Sequence, residues 1–172
     1  MKNRILVLTI LAVVVFTVFA PIAVNGYFRR TQQFYLVQKD PATWQPIEGG
    51  AKGRIRYNRK HEMFCFNIFA YRLEPYEEYS LIYYADPWPG DNPGAHLGTW
   101  TASSLGVIYD GCTVELNMDL PHPDDANYPD GAKLWLVLTS DYNVCLNRMI
   151  AWNPTEYLFE TQLVTYNDTG VP

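Results

Sequence analysis

The spacing of apolar residues divides this chain into two regimes. Ile5 to Ala20 form one apolar run behind Lys2 and Arg4, whereas beyond about Gly26 apolar residues alternate with polar ones or gather in short blocks bounded by Gly, Pro, Asn and Asp. Alternation with period two and no sustained 3.6-residue period is a strand pattern. It predicts strands at Gln33–Gln38, Gly53–Asn58, Met63–Tyr71, Glu78–Ala85, Ala95–Ala102, Gly106–Tyr109, Thr113–Met118, Lys133–Thr139 and Tyr157–Tyr166. Tyr79–Tyr84 and Leu134–Leu138 are apolar at odd and even positions alike, as a strand covered on both faces must be. Turns every eight to twelve residues point to an all-β, two-sheet Greek-key sandwich of the immunoglobulin kind, with a β-barrel as the alternative.

The leading run of sixteen residues lies between a cleaved signal core and a bilayer span. Small residues at Val18 and Ala20, or at Val24 and Gly26, suit cleavage, while Pro21 to Val24 lengthen the run toward an anchor. Residues 1–26 are therefore expected to be a signal peptide or a membrane anchor that places the rest outside the cytoplasm. Residues 27–172 are expected to form a single β-sandwich domain. An oxidising compartment suits the three cysteines, and the preferred disulfide is Cys112–Cys145, with Cys65 buried in Met63-Phe64-Cys65-Phe66 as a small hydrophobe.

Charge adds a polarity along the chain. From Tyr27 to Arg72, Arg29, Arg30, Lys39, Lys52, Arg54, Arg56, Arg59, Lys60 and Arg72 face Asp40, Glu48 and Glu62, a net of +6; the remainder carries fifteen acids against Lys133 and Arg148, a net of −13. Lys52, Arg54 and Arg56 alternate with Gly53, Ile55 and Tyr57, so three cations share one face of one strand. They suit either a solvated or edge strand protected from aggregation, or a patch facing a polyanionic polymer or the acidic half of a neighbouring subunit. Nucleic acid is a poor partner for an exported chain of negative net charge. Tyr27–Gln38 is expected to pair within its own sandwich or to add to the open edge of another subunit.

Two loops carry candidate chemistry. In Ala85–Gly94, Pro87, Pro89 and Pro93 stiffen the support of Trp88, which beside Asp86, Asp91 and Asn92 makes a candidate sugar-binding site or, more simply, a lid on the sandwich end. In Asp119–Gly131, Asp119, Asp124, Asp125 and Asp130 make a solvated acidic loop or a candidate calcium site, although the EF-hand spacing fails. His61, His96 and His122 lack zinc spacing, and no serine has a nucleophile-elbow context. A carboxylate pair of a hydrolase can meet only in three dimensions and stays open as an alternative.

Three segments have a distinctive wording: Tyr79-Ser80-Leu81-Ile82-Tyr83-Tyr84-Ala85-Asp86-Pro87-Trp88-Pro89-Gly90, Asp125-Ala126-Asn127-Tyr128-Pro129-Asp130-Gly131-Ala132-Lys133-Leu134-Trp135-Leu136-Val137-Leu138 and Trp152-Asn153-Pro154-Thr155-Glu156-Tyr157-Leu158-Phe159-Glu160. They resemble an uncharacterised family of exported prokaryotic β-domain proteins, over about Gly49 to Tyr166. The resemblance implies a secreted β-domain without an assigned activity. A weaker likeness, strand then Leu73-Glu74-Pro75 then strand, is similar to CHRD-type and copper/zinc superoxide dismutase sandwiches. The dismutase's metal histidines would fall where this chain has Leu81, Ile82, Tyr83 and Tyr84, so that chemistry is not carried over. The expectation is an exported extracellular or cell-surface structural or binding domain, acting on the cell envelope, an extracellular polymer or itself. A carbohydrate-binding module using Trp88 and its acids is the alternative.

Overall fold

The computed structural model describes residues 31–87 and 94–170. The segment 1–26 and Trp88, Asp91 and Asn92 lie outside the described residues. The strands are β1 (Thr31–Val37), β2 (Lys52–Asn58), β3 (Lys60–His61), β4 (Phe64–Tyr71), β5 (Glu78–Tyr84), β6 (Ala95–Thr101), β7 (Ile108–Val114), β8 (Lys133–Leu138), β9 (Tyr142–Asn143), β10 (Arg148–Met149), β11 (Phe159–Glu160) and β12 (Asn167–Asp168). The helical elements of the described residues are three short 3-10 turns, Thr139–Asp141, Val144–Leu146 and Pro154–Glu156. No helix among these residues is long and apolar enough to cross a membrane.

A five-stranded sheet, ordered β11-β1-β2-β4-β7, faces a three-stranded sheet ordered β6-β5-β8. The chain leaves β4 for the small sheet, makes the β5–β6 hairpin and returns as β7 beside β4, which is a Greek-key return. It then crosses again to place β8 on the other side of β5. At one margin Leu158 pairs with Leu136 of β8 while β11 pairs with β1, so the two sheets meet there. None of the sheets is closed into a barrel.

The alternation of β2 and β4 explains the main core. Ile55, Tyr57, Phe64, Phe66 and Ile68 point inward and meet Tyr79, Leu81, Tyr83, Leu134 and Leu136 from the small sheet. β5 is buried from Tyr79 through Tyr84, and β8 from Leu134 through Val137, so the small sheet is covered on both faces as its sequence predicts. Its outer cover is a second core in which Ile82, Tyr84, Trp135 and Val137 pack under Tyr142, Met149, Tyr157 and Phe159. Trp135 stacks on Tyr84 at 3.7 Å between ring centroids. Two buried carboxylates tie the loops to this framework. Tyr83 donates to Asp125 Oδ2 and Tyr157 to Asp141 Oδ2, each at 2.6 Å, and each phenol oxygen also accepts a backbone N–H, from His122 and Asn153 respectively.

Several expectations are corrected here. The strands expected at Gly106–Tyr109 and Thr113–Met118 are one strand, β7, running through Gly111; a Cβ at that glycine would lie 2.7 Å from Asn67 Nδ2 across the ladder. The long strand expected at Tyr157–Tyr166 is reduced to β11 and isolated bridges. β1 pairs within its own sheet, the intramolecular outcome for the first arm. The Cys112–Cys145 disulfide is absent, and all three cysteines are free. Cys112 packs against the main core with its thiol 3.5 Å from Leu97 O, whereas Cys145 is exposed on the Val144–Leu146 turn. Cys65 is half-exposed instead of buried, because Phe64 and Phe66 take the inward positions of β4.

Candidate functional site

The outer face of the five-stranded sheet is open over β2, β4 and β7, while on β11 Phe159 is buried in the second core, and the sequence of β2 decides what the open part presents. Period two sends Gly53, Ile55 and Tyr57 inward, so Lys52, Arg54 and Arg56 stand in solvent. β2 lies in the middle of the sheet with strands hydrogen-bonded on both sides. Protection of an edge strand therefore does not explain these cations.

Register continues each cation into a row across the sheet. Lys52 is opposite Tyr71, Arg54 opposite Phe69, which is opposite Tyr109, and Arg56 opposite Asn67, which is opposite Gly111. Phe69 stacks on Tyr71 at 5.7 Å and meets Tyr109 edge-on at 6.3 Å. Tyr109 is 80% exposed, and Tyr35 on the neighbouring β1 is 48% exposed. Arg72 extends the patch, with its guanidinium 6.0 Å from the centre of the Tyr71 ring. Outward positions of β1, β2, β4 and β7 hold cations, aromatics, neutral polar residues, Val37 and Gly111, and no carboxylate.

The cations have no acid partner among the described residues, whose ion pairs are Lys133–Asp86 and His122–Asp124. Cations two residues apart on a strand are separated by about 7 Å, which in water costs about 0.6 kcal/mol of repulsion per neighbouring pair. That is small enough for the fold to tolerate. Its sign still favours any counter-charge laid along β2, and the exposed rings beside it offer flat apolar faces.

The other predicted residues have separate fates. Asp86 from one candidate loop and Asp125 from the other come together: Asn127 Nδ2 donates to Asp86 Oδ2 at 2.8 Å and to Asp125 Oδ1 at 2.9 Å, and Lys133 pairs with Asp86. Asp125 is buried and holds Tyr83 and the Asn127 backbone, so it serves the loop's own architecture. Asp119 accepts from Asn167 Nδ2 and from the Asp168 backbone at 2.7 Å, pinning β12. Asp124 stands beside His122, and Asp130 is exposed. Asp119, Asp124 and Asp125 thus have different partners while Asp130 stands in solvent, and no group of three or more metal-type side chains forms among the described residues.

Most polar groups buried elsewhere are also committed. Ser80, fully buried, shares hydrogen bonds with Thr99 and Thr139 at 2.8 and 2.9 Å, and His96 Nε2 lies 2.7 Å from Thr99 Oγ1. Burial holds His96 below the usual histidine range. Burial pushes the carboxyl of Glu160 up, against the opposing pull of Lys39, Trp135 and Lys133. Glu160 Oε2 and Trp135 Nε1 are buried without a hydrogen-bond partner, although the indole lies close enough to act on the carboxylate's titration.

Sequence reasoning found the cations and missed Phe69, Tyr71 and Tyr109. The signal was present in β4, where Cys65, Asn67, Phe69 and Tyr71 occupy the positions that alternate with Phe64, Phe66, Ile68 and Ala70. Two large aromatics, Phe69 and Tyr71, therefore occupy the outward phase of β4. Compared with protein-family models, curated proteins and solved structures, the chain matches none.

Proposed function

We propose that this chain is an exported, non-catalytic binding domain of the cell surface whose bare sheet face takes a carboxylate-bearing polysaccharide. The observation that carries this reading is the row of cations at the centre of the sheet, without an acid partner among the described residues and in register with the half-buried Phe69 and Tyr71 and, beyond them, the exposed Tyr109. Guanidinium groups bind carboxylates through two parallel hydrogen bonds. Sugar rings present apolar C–H faces that pack on Phe69, Tyr71 and Tyr109, so both halves of an acidic sugar find a complement. The apolar N-terminal run supports export, with the segment either cut or kept as the anchor.

Titration calorimetry with polygalacturonate tests the reading. Wild-type protein is expected to bind with an affinity that falls steeply as salt rises, to bind neutral dextran weakly, and to lose at least tenfold in affinity for polygalacturonate in the K52E/R54E/R56E variant. Equal affinity of the variant and the wild type for polygalacturonate would sink it.

A further inference from the structure

The β9–β10 hairpin presents a second surface. Its underside is fixed: Tyr142 and Met149 are buried in the second core. Its tip is rigid, because Asn143 Oδ1 accepts the Leu146 N–H at 3.0 Å, Asn147 takes a left-handed φ of 47°, and the Tyr142 hydroxyl donates to Asn147 Oδ1 at 3.2 Å. On this rigid support Val144, Leu146 and Ile150 are 43%, 56% and 57% exposed, and Cys145 is exposed beside them. Residues 142–152 include Arg148 and Trp152 and no acid, in a chain whose second half is otherwise strongly acidic.

We propose that this tip inserts into the interface of a lipid bilayer; the proposal rests on the anchored form of the function above. Aliphatic side chains with a Trp and an Arg at their margin, and no carboxylate, have the composition of a membrane-interface segment. Half-exposed side chains on so short a hairpin offer on the order of a few hundred Å². That is short of the roughly 800 Å² per partner of a standard protein interface, whereas a bilayer needs no matching surface. The upstream sequence brings the bilayer close. The apolar run ends at Ala20, and the ten residues before Thr31 span at most about 35 Å. Tethering makes insertion an intramolecular event, so a shallow contact suffices.

The test uses the full chain reconstituted in phosphatidylcholine vesicles, which are neutral and leave the cationic face uninvolved. An environment-sensitive fluorophore is placed on Cys145 in a C65S/C112S background. The expected result is a blue-shifted emission, quenched by nitroxide-bearing lipid and returned to its water value by L146S/I150S, while a label at Y109C in a background lacking all three native cysteines stays water-like. Water-like emission from Cys145 in a chain that still floats with the vesicles overturns this proposal alone. A chain that does not float with them overturns both this proposal and the anchored reading.

Discussion

The two sheets share a core and differ in their outer faces. β5 and β8 are buried on both sides, under a cover of loops and 3-10 turns. β2 and β4 alternate strictly, burying one side and leaving the other in water. The small sheet spends its outer face on stability, in stacked aromatics such as Trp135 on Tyr84. Over β2, β4 and β7 the large sheet leaves its outer face to solvent, with cations that have no acid partner among the described residues beside half-buried and exposed rings. The difference teaches where to look for binding in a chain of this kind: on the face whose removal the fold would not notice.

The sharpest way to break this contrast is to truncate one aromatic on each sheet. Trp135→Ala removes a 5%-exposed indole from the second core, with an expected loss of about 3–5 kcal/mol. Phe69→Ala on the bare face should cost less than about 1 kcal/mol. Urea denaturation of the two variants measures both, and similar losses would erase the distinction.

Next in size is the tie that holds the cover down. Asp141→Ala leaves the Tyr157 hydroxyl and Asn153 amide without their acceptor, with an expected loss of about 2 kcal/mol. Hydrogen exchange should show the loss concentrated at Tyr142–Glu160, leaving β2 and β4 protected. Uniform loss of protection would mean that the cover is not a separate layer.

A smaller effect concerns Glu160, whose carboxyl titrates above its ordinary value because it is buried. A raised folded value means that the native state holds the proton more tightly than the unfolded chain does. Ionisation therefore opposes folding: the penalty is absent well below pH 4.5 and grows as pH rises through the ordinary and then the folded value. The difference in stability between wild type and Glu160→Gln should change in that window, with the glutamine variant gaining as pH rises. A difference that stays flat with pH would show that Glu160 titrates normally.

Much of the contrast was legible locally. The continuous apolar runs Tyr79–Tyr84 and Leu134–Leu138 announced two covered faces, and Lys52-Gly53-Arg54-Ile55-Arg56-Tyr57 announced three outward cations. What sequence could not supply was strand order. Whether β2 is an edge or the centre depends on β1 and β4 pairing on its two sides, and β4 is itself bordered by β7. The same limit applies to the cysteines. Cys112 was the preferred partner of Cys145, but the phase of β7, with Cys112 opposite Phe66, turns its thiol toward the core. Asp86 and Asp125, 39 residues apart in the chain, looked like parts of two sites until Asn127 and Tyr83 drew them into one structural network.

The smallest expected effect on folding is also the one most closely tied to function. Arg54→Glu should change stability by no more than about 0.5 kcal/mol, since Arg54 has no ion pair among the described residues, while weakening polygalacturonate binding and its salt dependence.

The central claim, that the bare face is the binding face, is tested most directly by mapping amide and side-chain chemical shifts during titration with polygalacturonate oligomers. The expected perturbations centre on Lys52, Arg54 and Arg56 and on Phe69, Tyr71 and Tyr109, with the residues around Trp135 unmoved. Perturbations confined to the Asp86 and Asp125 loops or to the Trp135 cover, with β2 and β4 silent, would contradict it.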